Sequence, residues 1–394
     1  MIVRERILAL DLLRGVALAG ILIMNIQSFS MPSAAYINPT AYGDLTAWNK
    51  WVWIISHLVA SGKFMSIFSI LFGAGVLIFI ENAISRGDHA ARLHFRRMGW
   101  LLLFGMIHGY LLWSGDILVC YSLCGMLIWF FRNRSADRLL RAAFIFFLIP
   151  MLLGILWAFT MPFWDAGSVE SMLETWSPDA KSISLIVERM RGGWLEQMKV
   201  RVPHTISMQT TVFMAETAWR VISMMLLGMF LLKREVLTAK RSRSFYTRMT
   251  LIGLFSGYLL SAIGVWMNFH KGWTLEYSMF LGGQFNYVGS LAVALGYIGL
   301  LMLIVKSDRF QVFTRAFSAL GRTAFSNYIF QTLICTLIFY GTGLGLFGSV
   351  ERKYHLLIVF GIWILQILLT TLWLNRFRQG PLEWLWRRLS YRRS

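Results

Sequence analysis

Apolar residues fall along this chain in long unbroken blocks separated by short polar gaps. They show neither the alternation of half-buried strands nor the one-sided stripe of a soluble helix. Crossing a bilayer as a helix takes about 20 apolar residues. Ten blocks approach that length: 7–27, 51–80, 97–114, 116–131, 139–161, 212–232, 246–268, 281–305, 317–341 and 355–375. The fourth is short, and the second is long enough to tilt or to run past the membrane. Lipid offers backbone N–H and C=O groups no partners, so each block is expected to be helical. Outer-membrane barrel strands would be shorter and would alternate. The expected fold class is all-α, a polytopic helical membrane protein of about ten transmembrane helices.

The blocks divide the chain into an N-terminal five-helix half, 1–161, an extracytoplasmic segment, 162–211, and a C-terminal five-helix half, 212–377, with an interfacial helix and basic tail at 378–394. In the segment between the halves, Ser177-Pro178-Asp179 looks like an N-cap followed by Pro at the first helical position. The stretch 178–191 then reads as an amphipathic helix carrying Ile183, Ile186, Val187 and Met190 on one side. Gly192-Gly193 is expected to end it, and Pro203 to end the short helical piece that follows. A lid, a docking platform and a plain linker all fit this segment. The first gap, 28–50, holds Pro32, Tyr36, Pro39, Tyr42 and Trp48, which suits an ordered loop at headgroup level. The tail 380-GPLEWLWRRLSYRRS-394 sets Trp384, Leu385, Trp386 and Leu389 among arginines, the pattern of a helix lying on the membrane surface.

Composition agrees: 57% of residues are hydrophobic and 14% charged, against roughly 25% charged in soluble domains. The net charge of +19 does not point to nucleic acid, because of where it sits. Of 38 Lys and Arg, 25 lie in the gaps 81–96, 132–141, 233–248 and 306–316, at the two ends and at the adjoining Arg97. The opposite gaps hold 9, and Arg14, Lys63, Arg220 and Arg322 fall inside spans. The positive-inside rule then sets both termini in the cytoplasm of a multi-pass inner-membrane protein, with membrane lipids as its first partners. Arg4 and Arg6 ahead of the first block, with Ser33-Ala34-Ala35 after it, resemble a signal peptide. The block is too long for one and is read as the first span. Cys120, Cys124 and Cys335 lie within apolar blocks, so neither a disulfide framework nor a metal site is expected. Phosphate-loop, HExxH and GxSxG signatures are absent, so any chemistry must lie within the membrane.

Ionisable residues inside a membrane are costly and tend to be paired and functional. Near the basic side, Asp11 and Arg14 share a helix face, and Arg322 opens 321-GRTAFSNYIFQTLI-334, where Thr323, Asn327 and Gln331 recur every four residues. A salt-bridge cluster joining spans one and nine and a ligand site both fit. Toward the other side lie His57, His108, Asp116, Glu216 and Arg220. His108, flanked by Gly105 and Gly109, precedes Asp116 across a tight turn, and an imidazole oriented by a carboxylate is what a general base needs near neutral pH. A buried structural histidine fits as well. Glu216 and Arg220, four apart, read as an ion pair. Lys63, near mid-membrane, needs a partner such as Asp11 or a bound anion. Gly282, Gly289 and Gly296, seven apart, offer a helix-packing face; an oligomer is open.

The stretches 10-LDLLRGVALAGILIMNI-26, 62-GKFMSIFSILFGAG-75, 107-IHGYLLWSGDIL-118, 321-GRTAFSNYIFQTLI-334 and 378-RQGPLEWLWR-387 together resemble the YeiB family, bacterial inner-membrane proteins whose C-terminal half is a domain of unknown function. More distantly, the D-x-x-R-G formed by Asp11, Arg14 and Gly15 is similar to that of transmembrane acyltransferases. That resemblance implies passage of an acyl group from cytosolic acyl-CoA to an acceptor at the far side, helped by a histidine. The loop 28–50 lacks one, so His108, oriented by Asp116, is the expected base, with His57 in reserve. Arg14, with Arg96 or Arg97, would meet the CoA phosphates. The acceptor would be a small molecule, glycan or lipid. Two other readings fit: a transporter or exporter of a small metabolite or lipid, gated by the two polar layers with Lys63 between them, and a non-catalytic membrane scaffold.

Overall fold

The computed structural model describes residues 8–391; Arg4, Arg6, Arg392 and Arg393 lie outside the described residues. The chain forms helices α1 (Leu8–Ser30), α2 (Ala34–Ile37), α3 (Ala47–Ala60), α4 (Lys63–Ser85) and α5 (Ala90–Ile107), the last continuing as a wider π turn over His108–Leu112. Then come α6 (Leu118–Ile128), α7 (Ala136–Thr160), α8 (Ala166–Trp176), α9 (Ala180–Arg191) and α10 (Trp194–Gln209). A π segment, Phe213–Thr217, leads into α11 (Ala218–Lys233), followed by α12 (Arg243–His270). A second long π segment, Leu275–Gly282, opens α13 (Gly283–Val305), and α14 (Gln311–Arg322), α15 (Ala324–Phe339), α16 (Arg352–Leu374) and α17 (Pro381–Tyr391) complete the chain. No strand occurs among the described residues.

The protein is an all-helical membrane protein. Among the described residues, 7 helical runs are long and apolar enough to cross a bilayer: Leu8–Ser30, Ala47–Ser85, Ala136–Phe163, Trp194–Lys233, Arg243–His270, Leu275–Val305 and Arg352–Leu374. Leu118–Phe131 and Ala324–Phe339 are shorter apolar helices. These, with the arginine-rich α5, occupy the places where ten spans are expected.

Several boundaries differ from the sequence reading, each for a local reason. The block 51–80 is two helices, because Ser61-Gly62 breaks it. Gly62 has φ +75°, a left-handed conformation that glycine adopts without steric cost. The block 317–341 is likewise divided at Thr323 between α14 and α15. Asp179, rather than Ser177, caps α9, accepting from Ser182 N at 2.7 Å. Pro203 does not end a helix but stands inside α10. Flanking anchors hold that helix through the lost hydrogen bond: Arg201 donates to the Leu111 carbonyl at 2.9 Å and Thr205 to Gly109 at 3.0 Å.

Helix α1 is the axis of the molecule, buried along most of its length against α4, α14, α15 and α16. Its closest crossing is with α14. A Cβ on Gly15 would overlap the Phe317 carbonyl, and one on Gly321 would overlap the Asp11 carbonyl, so both positions exclude side chains. The glycines at 289 and 296 pack within the chain, against Gly257, Ser261 and Leu254 of α12. Cys120 and Cys124 are free, buried packing residues whose sulfurs lie 3.8 Å apart.

The segment 162–211 is docked against the bundle. Arg191 donates to the Phe347 carbonyl at 2.7 Å and to Ser349 at 2.6 Å, and Gly341 N donates to the Met190 carbonyl at 3.0 Å. On the same face, the buried Arg352 holds the 28–50 loop by donating to the carbonyls of Pro39, Tyr42 and Asp44 at 2.8–3.0 Å.

Candidate functional site

A single cavity of about 1000 Å³ follows α1 from one face of the bundle to the other. At the basic face its mouth is lined by Asp11, Arg14, Asn82, Arg97, Arg322, Glu383 and Trp386. Leu18, Ile21, Met65, Phe68, Leu71 and Leu101 form an apolar throat. The opposite end opens into a polar chamber lined by Tyr36, Asp116, His204, Glu216, Arg220 and Asn286.

At the mouth, Arg14 pairs with Asp11 at 3.1 Å on one turn of α1. Arg97 lies between two rings, 4.0 Å from Trp386 and 4.8 Å from Phe79. Trp386 in turn donates its indole N–H to the Arg97 carbonyl at 2.9 Å. Helix α17 is therefore a wall of the mouth as well as an amphipathic surface helix. It is latched by Glu383, which accepts from Phe325 N at 2.7 Å, Ser326 N at 3.2 Å and the Ser326 hydroxyl at 2.5 Å, where α15 leaves N–H groups without intrahelical partners. Burial pushes the Glu383 carboxyl above its ordinary range, although these donors oppose the shift. Arg322 lines the mouth and donates to the Arg378 carbonyl at 3.1 Å. Arg96 is not among the lining residues.

His108 and Asp116 do meet. Nδ1 lies 2.8 Å from Asp116 Oδ1, and the second carboxylate oxygen accepts from Val119 N at 2.9 Å. Nε2, however, is 2.9 Å from the Thr332 hydroxyl, and the ring is 1% exposed, so both nitrogens are spent inside the protein. Asp116 borders the cavity and His108 does not. His57 stacks on Trp53 with centroids 4.9 Å apart, also away from the cavity.

The histidine that does line the polar chamber is His204. Its Nδ1 is 2.8 Å from the Ser114 hydroxyl, which leaves Nε2 for the cavity. The residues His204, Met208, Val212, Glu216 and Arg220, four apart in sequence, all line this space. On a regular α-helix a four-residue repeat drifts about 40° per step and would leave one face. The wider turns at Phe213–Thr217 counter that drift, and such π segments are frequent at functional sites. The stripe was present in the sequence, but a boundary at 211 cut it, and Pro203 suggested an end beside His204.

The Glu216–Arg220 ion pair expected from the spacing is not formed. Arg220 turns into the seam between α4 and α13, donating to Ser290 at 2.6 Å, Ser66 at 3.2 Å and the Tyr287 carbonyl at 3.3 Å. Lys63 is not paired with Asp11; its ammonium donates to the His57 carbonyl at 3.0 Å and to Asn286 Oδ1 at 2.5 Å. Asn327 and Gln331 lie off the cavity in a side-chain network with α16, each 3.0 Å from Gln366, and Asn327 also 3.0 Å from Thr370. No cluster of potential metal ligands exists among the described residues.

The chain is 34% identical to the uncharacterized protein YeiB of Escherichia coli K12, over 98% of this chain and 97% of that one. It belongs to the YeiB family. It is also 30% identical to the uncharacterized protein YxaH of Bacillus subtilis 168, over 98% of this chain and 94% of its relative. The family model described as a protein of unknown function (DUF418) matches residues 231–393. That match starts in the last turns of α11 and takes in Arg322, Glu383 and Trp386 at the mouth. Arg14, Arg97 and His204 of this YeiB-family chain lie before it.

Proposed function

We propose that this protein is a membrane-embedded acyltransferase that moves an acyl group from cytosolic acyl-CoA to an acceptor at the opposite side of the bacterial inner membrane. The observation that carries the reading is the cavity itself. One passage joins three arginines, an apolar throat and a chamber lined by a histidine with an available nitrogen. The excess of Lys and Arg assigns the arginine mouth to the cytoplasm. Arg14, Arg97 and Arg322 are suited to the phosphates of CoA, since guanidinium groups match phosphate oxygens. The throat suits the pantetheine arm, which carries the thioester on to the chamber. In the chamber, His204 Nε2 accepts the proton of an acceptor hydroxyl or amine, and the freed lone pair attacks the thioester carbonyl. The C–S bond then breaks, and the leaving CoA thiolate takes that proton from His204, which restores the base. Ser114 on Nδ1 fixes the ring. This moves the role expected of His108 to His204 and leaves His108–Asp116 as a brace for the chamber wall.

The test is acyl-CoA hydrolysis and transfer by purified protein in nanodiscs. His204→Ala is expected to lower turnover by at least about 100-fold, the lower range for a lost general base, with the unfolding temperature little changed. Absence of turnover together with absence of stabilisation by CoA would sink the enzyme reading. Transport of a small metabolite or lipid is the second reading, favoured by Glu216, an exposed carboxylate in the chamber with no hydrogen-bond partner among the described residues. Flux in proteoliposomes that Glu216→Ala abolishes would select it.

A further inference from the structure

The break between α3 and α4 places two cations in the interior of the bundle without a carboxylate partner. Lys63 is 0% exposed and Arg220 3% exposed, and every hydrogen bond they make among the described residues is to a neutral oxygen. Arg220 Nε is buried and has no partner. Beside them, α4 begins at Gly62 with no side chain capping it, so the N–H groups of its first turn and the positive end of its dipole face the same region. Ser61, Gly62, Arg220, Asn286 and Ser290 all line the chamber. Glu216 is the nearby carboxylate, four residues before Arg220 and lining the same space, yet it pairs with neither cation. Asp116, the chamber's other carboxylate, is taken up by His108 and Val119 N, so neither carboxylate pairs with the two basic side chains, a costly arrangement in a low-dielectric setting.

We propose that this helix break is a binding site for the phosphate group of an anionic amphiphile. Arg220 and the start of α4 hold the phosphate oxygens, Lys63 supplies the second charge from behind Asn286, and the apolar portion lies against the chamber's apolar lining at Met208 and Val212. Guanidinium groups and helix N-termini are both established partners of phosphate oxygens. The site stands whether or not the protein transfers acyl groups. If it does, the acceptor bound in the chamber carries a phosphate.

The experiment measures the unfolding temperature of the full-length protein in neutral-lipid nanodiscs, without acyl-CoA. The ligands added are dihexanoyl phosphatidic acid, inorganic phosphate and dihexanoylglycerol. Phosphatidic acid is expected to raise the unfolding temperature saturably, and the uncharged diacylglycerol to have no effect. An equal effect from inorganic phosphate would support the anion site while assigning its ligand to a free phosphate. Arg220→Gln is expected to weaken binding by at least about ten-fold, the loss of one hydrogen bond to a charged group. In case that variant folds poorly, Asn286→Asp provides a second probe. It gives Lys63 an internal carboxylate, so it should unfold no lower than the wild type while binding the anion about ten-fold more weakly. Wild-type protein indifferent to both phosphates, or Asn286→Asp protein binding as tightly as the wild type, overturns the proposal.

Discussion

Asp11, Arg14 and Gly15 act at two levels within one turn of α1. The charged pair faces the cavity mouth, and the glycine faces α14 so closely that a Cβ there would overlap the Phe317 carbonyl. The spacing of the motif thus reflects a helix crossing as much as a binding surface. Gly321 makes the reciprocal contact with the Asp11 carbonyl, which ties the stretch 321-GRTAF to the stretch 11-DLLRG. Because the obstructing atoms are backbone, neither helix can yield by a rotamer change. Gly15→Val and Gly321→Val are therefore each expected to lower stability by about 1–3 kcal/mol or more, read as a fall in the unfolding temperature, whereas Gly99→Ala, with open space around it, should be neutral or slightly stabilising. Equal tolerance at all three positions would refute the crossing as the reason for the motif. At this scale the sequence marks the polar residues set within apolar blocks but not the direction each one faces. His108 and Asp116 were legible as a pair; that Thr332 occupies the remaining nitrogen was not, since Thr332 is 224 residues away.

Helical elements were legible wherever apolar residues run on without interruption, and their ends were least legible where local signals compete with tertiary anchors. Pro203 is a strong stop signal in isolation. The hydrogen bonds of Arg201 and Thr205 to the π turn after α5 outweigh it, so α10 runs on toward the membrane and brings His204 with it. Ser61-Gly62 is a weak signal inside an apolar block, yet it becomes a true break because Lys63 caps the end of α3 through the His57 carbonyl. The loop before α3 is tied to α16 by polar groups rather than apolar ones. Asn49 donates to Asp44 at 2.7 Å and to Glu351 at 2.9 Å. These hydrogen bonds hold both carboxyls below their ordinary values. For carboxyls lowered in the folded state, the stabilisation is fully present above the unfolded values near 4 and is lost as the pH falls through the folded ones. Hydrogen-exchange protection of residues 44–50, relative to the intrinsic rate at each pH, should therefore fall below about pH 4, ahead of the spans, and Asn49→Ala should reduce that pH dependence, with Thr46 and Lys353 still acting on the two carboxyls. Protection in this loop that is flat across the acid range would separate its order from these carboxyls.

The cavity belongs to no single element, and for that reason the sequence did not disclose it. Its walls come mainly from α1, α2, α4, α5, α6, α10, α11, α13, α14, α15 and α17, which join only when the chain folds. Two polar layers were readable; the apolar throat that joins them was not. That continuity is what separates a donor-accepting enzyme from two unrelated polar patches, and it can be tested by closing the throat alone. Ile21 lines it from α1 and is half-buried, with the arginine mouth to one side and the polar chamber to the other. Ile21→Trp adds bulk to the passage without altering either charged end. If acyl groups travel this route, the variant should still be stabilised by CoA at the mouth while transfer to the chamber falls by at least about ten-fold, a loss of roughly 1.4 kcal/mol in transition-state access. Long acyl donors should suffer more than acetyl-CoA, because the longer chain must thread past the added indole before its thioester reaches the chamber. Unchanged transfer in a folded Ile21→Trp protein would mean that donor and acceptor meet elsewhere, and the two ends of the cavity would then need separate explanations. Loss of CoA binding and transfer together would instead indicate that the mouth and throat move as one unit, and Arg97→Gln would separate those cases by weakening CoA binding with the throat left open.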